Sequence, residues 1–218
     1  MVILSASGGV ATTNCYLIAD EVSGDCVLID APDHTVGPLL DEIVKRGWRL
    51  AALWLTHAHF DHMADHAEVK ARFPNSGLVS HADGVARLAN PTPAIFRLPF
   101  TIPPAKATAL IGEGDVETFG SLSARAMLTP GHCPGHIAYH FEAQRVLVGG
   151  DLIIGGAIGR TDFPDCSVQE MQKSLQRVMA VPDDTRLLPG HGGETTLGEE
   201  RRKNPYVRMA LAGRLAEV

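Results

Sequence analysis

Thr56-His57-Ala58-His59-Phe60-Asp61-His62 places three imidazoles and a carboxylate within six residues. From the chain's own His and Asp frequencies, a His-x-His-x-Asp-His string arises by chance with a probability on the order of 10⁻³, so it stands above background. Neutral imidazole nitrogens and carboxylate oxygens are ligands that zinc, iron and manganese accept, and no cysteine takes part in the cluster. In an extended stretch leaving a strand, His57, His59 and Asp61 follow a period of two and share a side, while His62 points elsewhere. That arrangement suits two adjacent metal ions better than one, and one cluster supplies too few ligands for two. Further candidates lie downstream: His132 in Pro130-Gly131-His132-Cys133-Pro134-Gly135, Asp151 after Val146–Gly150, and His191 in Leu188-Pro189-Gly190-His191-Gly192. Each follows an apolar run and has glycine beside it, as expected of loops clustered at a sheet edge where backbone must approach a site closely.

The elements that must position these residues read as alternating strands and helices. Cys15–Ala19 and Cys26–Asp30 form a strand pair with a turn at Gly24. Leu39, Leu40, Ile43 and Val44 recur at helical spacing before a stop at Gly47. Ala51–Thr56 is a short apolar run suited to a buried strand, and it ends in the histidine cluster. Met63–Phe73 reads as a helix and Gly77–Ser80 as a strand. Residues 91–107 carry Pro91, Pro93, Pro99, Pro103 and Pro104 among Ile95, Phe96, Phe100 and Ile102. They cannot form a regular element, and serve either as a lid or as packing on the core. Strands follow at Ser121–Leu128, Ile137–Phe141, Arg145–Gly149 and Thr185–Leu188, with a helix marked by Val168, Met171, Leu175 and Val178 between the last two. The order argues for an α/β layer arrangement. The run Glu199-Glu200-Arg201-Arg202-Lys203 opens a short C-terminal helical segment, residues 199–218, with a solvated face.

Composition sets the outer limits. At 218 residues and 45% hydrophobic content the chain reads as one large folded domain, residues 1–218. A net charge of −6 argues against bulk nucleic-acid binding, an RNA nuclease included. No apolar run approaches the ~20 residues a bilayer span needs, and the N-terminus lacks the basic region of a signal peptide, so no membrane partner is expected and a cytoplasmic location is. The four cysteines show no paired spacing and read as free thiols. His34, His66, His81, His136 and His140 read as surface or hydrogen-bonded structural residues, with His136 near enough to His132 to support it.

At the seven ligand-type residues the sequence resembles the metallo-β-lactamase superfamily, from Thr13-Asn14-Cys15-Tyr16 to Asn204-Pro205-Tyr206. The resemblance implies a four-layer αβ/βα sandwich with two divalent metal ions, zinc first and iron or manganese as alternatives. The first ion would take His57, His59 and His132, and the second Asp61, His62 and His191, with Asp151 bridging. An aspartate at the bridging position is similar to the hydrolase branch and unlike true β-lactamases. Gly159-Arg160-Thr161-Asp162-Phe163 and the stretch from Thr196 to Tyr206 resemble short bacterial hydroxyacylglutathione hydrolases of the glyoxalase II type. Longer members have an additional helical segment that holds glutathione, and a glutathione-contacting tyrosine where this chain has Gly193, so the likeness implies thioester hydrolysis more strongly than glutathione specificity.

What the likeness implies chemically is a metal-bridging hydroxide attacking the carbonyl of a small-molecule thioester. Asp61 would be the catalytic carboxylate, Arg160 is a candidate to hold a substrate carboxylate, and a monomer or homodimer is expected. Gly159–Phe163 also resembles mononuclear iron persulfide dioxygenases, in which His57, His132 and Asp151 would hold the single iron. A non-catalytic metal-binding or interaction module is the third reading, for which a missing ligand and a closed coordination shell would be expected.

Overall fold

Strand β2 (Thr13–Ala19) is buried at every position, as a near-continuous apolar run demands. It pairs antiparallel with β1 (Val2–Gly8) and with β3 (Asp25–Ile29). The computed structural model describes residues 1–93 and 97–216. These fall into two compact units, Met1–Ile111 with Thr118–Leu122, and Gly112–Glu117 with Ser123–Val218.

The first unit continues through α1 (Gly37–Arg46), β4 (Arg49–Trp54), α2 (Phe60–Met63), α3 (His66–Arg72), β5 (Gly77–Ser80), α4 (Val85–Ala89) and β6 (Ala109–Leu110). Its sheet has the order β1-β2-β3-β4-β5-β6, parallel from β3 onward. Helix α1 forms because Leu39, Leu40 and Ile43 share a face and Pro38 suits a first turn. It ends at Gly47, whose φ of 64° lets its N–H reach the Ile43 and Val44 carbonyls. Val44 itself is exposed, at the margin of the apolar stripe.

Met63–Phe73 is not the single helix its periodicity predicts. It breaks at Asp65, whose carboxylate turns away to accept the His34 and Thr35 N–H groups, each at 3.0 Å. Asp65 thus satisfies the entry to α1 at the expense of its own helix. Along the proline-rich stretch Ile102 is buried, and Leu98 and Phe100 pack on the core with it, so this part is packing. Ile95 and Phe96 lie outside the described residues.

The second sheet has the order β12-β11-β10-β9-β8-β7: β7 (Val116–Phe119), β8 (Leu122–Leu128), β9 (Ile137–Phe141), β10 (Val146–Gly150), β11 (Arg186–Pro189) and β12 (Thr195–Thr196). Helix α5 (Val168–Val178) links the parallel pair β10 and β11 and buries Met171, Ser174, Leu175 and Val178 at the i, i+3, i+4, i+7 spacing. Helices α6 (Leu197–Lys203) and α7 (Pro205–Leu211) follow. The charged run is not a solvated face throughout: Glu200 is buried and accepts the Gly156 N–H at 3.0 Å and the Asn204 amide at 2.7 Å. Asn204 caps α7 through the Tyr206 and Val207 N–H groups and donates to the Ala157 carbonyl. Asn204-Pro205-Tyr206 is therefore a helix start that also pins the loop after Ile153.

Strand direction explains which loops meet. Strands β3 and β4 are parallel, so Asp30 and His57, just past their C-terminal ends, leave from one edge of the first sheet. Strand β2 runs opposite to β3, which brings Thr13 at its start to that same edge. In the second sheet β8 and β10 both run antiparallel to β9, and β11 is parallel to β10. The residues after β8, β10 and β11, which include His132, Asp151 and His191, therefore leave from one edge. Carboxyl ends of parallel strands are where open α/β sheets bind ligands.

Candidate metal centre

In the first unit His57, Asp61 and His62 are buried and His59 is partly so. Asp61 and His62 do not continue the extended stretch, because helix α2 begins at Phe60. The period-of-two reading fails there, and the helical turn swings His62 back until its ring centroid is 4.1 Å from that of His57. Its Nε2 stands 3.5 Å from Asp61 Oδ2. His57 Nε2 and His59 Nδ1 are 3.1 Å apart. Two imidazole nitrogens on one tetrahedral zinc are separated by about 3.3 Å, given Zn–N distances of roughly 2.0–2.1 Å, so this pair fits a shared ion.

The network behind these rings fixes which nitrogen faces outward. Asp30 is buried and accepts three hydrogen bonds, from Thr56 N, Thr56 Oγ1 and His62 Nδ1, each at 2.8 Å. With its proton on Nδ1, His62 keeps its Nε2 lone pair. Thr56 spends its hydroxyl proton on Asp30, so Thr56 Oγ1 accepts from His57 Nδ1 at 3.1 Å and leaves the His57 Nε2 lone pair toward His59. Burial pushes the Asp30 carboxyl up, opposed by His62 and the Thr56 donors. Asp30 adopts a φ of 61°, a conformation uncommon for a residue with a side chain and tolerated best by Asp and Asn. Thr13 Oγ1 donates to Asp61 Oδ2 at 2.8 Å.

In the second unit Asp151 Oδ2 stands 3.6 Å from His132 Nε2 and 3.3 Å from His191 Nε2. His132 Nδ1 donates to the Arg160 carbonyl at 2.9 Å, again leaving Nε2 as the outward lone pair. This gives Gly159-Arg160 a main-chain role. A Cβ on Gly159 would overlap the Asp151 carbonyl oxygen and crowd the His132 ring, so only glycine lets this loop close on both. A Cβ on Gly131 would overlap the Met171 backbone, which seats the His132 loop on α5. The Arg160 guanidinium is exposed, bidentate to Asp162 at 2.8–2.9 Å, and lies 4.3 Å from the Phe163 ring centroid. Any substrate carboxylate at Arg160 would have to share or displace Asp162.

Each unit thus presents histidine and carboxylate donors, with the tautomers of His57, His62 and His132 set from behind, the chemistry of a divalent-metal site. Thr56 and Thr13 open two of the stretches read from the sequence without a role marked for either, and Asp30 carries no motif. The signal for these roles is position, at the ends of the strands flanking the cluster. None of the four cysteines is in a disulfide, and burial raises Cys15 and Cys26 to about 12. Among the described residues no helix is long and apolar enough to cross a membrane.

A profile of the metallo-beta-lactamase superfamily matches residues 8–191. The chain belongs to that superfamily and has its fold, built here from two mixed six-stranded sheets with helices. It is 35% identical over 228 residues to a hydroxyacylglutathione hydrolase of Methylobacterium sp. (strain 4-46), covering 88% of this chain and 81% of that protein. Among solved structures, the BLEG-1 B3 metallo-beta-lactamase superposes with a TM-score of 0.86 at 28% identity, covering 94% of this chain and 99% of that one. TTHA1623 in a di-iron-bound form gives 0.82 at 31% identity, with coverage of 93% and 99%. ETHE1 from Myxococcus xanthus gives 0.79 at 26%, with coverage of 97% and 88%.

Proposed function

We propose that the chain is a metal-dependent hydrolase of small thioesters, with His57, His59, Asp61, His62, His132, Asp151 and His191 holding two divalent ions. The observation that carries this reading is the donor geometry: imidazole nitrogens 3.1 Å apart in one unit, and a carboxylate oxygen 3.3–3.6 Å from two imidazoles in the other. The di-iron form of TTHA1623 and the relative named hydroxyacylglutathione hydrolase support it. Two divalent ions, when bound, polarise a carbonyl oxygen and lower the pKa of water toward neutrality. The chain's own residues do the holding: Asp30 and Thr56 keep His62 and His57 in the ligating tautomer, Thr13 orients Asp61, and the Arg160 carbonyl orients His132. A thiolate leaves readily because its conjugate acid has a pKa near ~8.5, so no strong general acid is needed.

A mononuclear iron persulfide dioxygenase is the second reading, favoured by His132 Nε2 and Asp151 Oδ2 standing 3.6 Å apart, two of the three ligands a single iron would use. The discriminating experiment runs a thioester panel, S-lactoylglutathione included, beside oxygen uptake on glutathione persulfide, using protein of measured metal content. Two ions per chain with thioester turnover is the expected result. One iron per chain with oxygen uptake sinks the hydrolase. In the same assay Asp61→Ala should abolish thioester turnover while the circular dichroism spectrum stays unchanged.

A further inference from the structure

We propose that His136, which the sequence marks only as a structural histidine near enough to His132 to support it, is a positioning residue that ties the loop carrying His132 to the backbone of Asp151. The inference rests on the metal-centre reading above and adds a residue to it. His136 is fully buried, and both ring nitrogens are engaged. Asp151 N–H donates to its Nε2 at 3.0 Å, so Nε2 carries no proton and Nδ1 does. Nδ1 donates to Thr129 Oγ1 at 2.8 Å, and Thr129 N–H donates back to the His136 carbonyl at 2.7 Å.

Thr129 and His136 thereby close the base of the 129–136 loop, and the His132 ring stands 6.5 Å from the His136 ring, edge to face. One imidazole spans two ligands that lie 19 residues apart in sequence. Asp151 follows Gly150, whose φ of 49° and the register shift between Val148 and Gly150 end the regular pairing of β10 with β11. At that irregular point the ladder does not dictate where the Asp151 N–H goes, and the imidazole takes it. A buried N–H left without an acceptor is costly, so losing the imidazole would favour a shift of the loop that carries the Asp151 carboxylate.

The test compares His136→Leu, which keeps the volume and removes the acceptor, with His136→Gln, whose carbonyl oxygen can reach the Nε2 position. Zinc affinity is read by chelator competition, and exchange of the Asp151 amide is read by NMR on metal-free protein. The expected result is zinc binding weakened about 10- to 100-fold in His136→Leu, the cost typical of losing such a partner, with partial recovery in His136→Gln. Asp151 amide exchange should quicken in the leucine variant, and thermal melting confirms that it folds. Should it not fold, Thr129→Val gives the smaller version of both changes. Wild-type zinc affinity and an unchanged Asp151 amide in a folded His136→Leu protein overturn the proposal. A wild-type protein that binds no zinc, iron or manganese overturns the metal-centre reading itself, and is recognised because the failure precedes any substitution.

Discussion

Asp30 does the most with the least sequence signal. Its carboxylate takes three donors, and a φ of 61° turns it to receive them. Asn tolerates that backbone equally well, so Asp30→Asn separates charge from conformation. The amide would have to present either an N–H to the Thr56 donors or an N–H to His62 Nδ1, and in both cases donors oppose. Metal affinity should fall about 10- to 100-fold, measured by chelator competition, with the far-ultraviolet spectrum retained. Arg160 offers a kinetic test of a different kind. If the exposed guanidinium holds a substrate carboxylate, Arg160→Ala raises KM with kcat unchanged, while Asp162→Ala, which releases the guanidinium from its bidentate partner, lowers KM. The candidate metal-binding residues were legible because histidine and aspartate at tight spacing beside glycine are rare. Thr13 was not, because it lies 48 residues from the carboxylate it orients. Only the antiparallel course of β2 brings it there.

The interior strands and α5 follow the reading of their sequences closely, since runs such as Ile137–Phe141 and the stripe of Val168, Met171, Leu175 and Val178 are unambiguous in period, although Val168 is only partly buried and Ser174 joins the buried face. What periodicity missed are elements whose form depends on partners elsewhere. Met63–Phe73 splits because Asp65 serves α1, and α2 begins at Phe60, inside what reads as an extended motif. Strands β6 and β12 have two residues each, too short to show a period. Asp20 is a further case of a residue acting between elements. Its carboxylate accepts the Val22 and Ser121 N–H groups, and a Cβ on Gly120 would overlap it. These donors hold its pKa at about 2, below the ~3.9 of an unfolded aspartate. A depressed folded pKa means the stabilisation is fully present above about pH 4 and disappears as the pH falls toward 2. In urea melts, wild type should therefore exceed Asp20→Asn at pH 6, and the gap should narrow steadily between pH 4 and pH 2.

Across the whole molecule, the two units repeat one plan without repeating a sequence: antiparallel strands, then a strand–helix–strand crossover, with the candidate metal-binding side chains past the ends of the strands. In the second sheet the fixed direction of β8, β10 and β11 puts His132, Asp151 and His191 past one edge and the turn between β9 and β10 at the other. The turn between β9 and β10, Glu142–Gln144, belongs to that second edge, and Ala143 is exposed. A loop insertion costs only about 0.6 kcal/mol for each doubling of its length. A flexible insert of about ten residues after Ala143 should thus leave metal content unchanged and lower the melting temperature by only a few degrees, whereas the same insert after Gly131 should abolish metal binding. Strand polarity has in effect sorted this sheet into a workshop and an open docking bay, where an affinity tag, a fluorescent reporter or a fused domain could be spliced in without the edge that carries His132, Asp151 and His191 registering it.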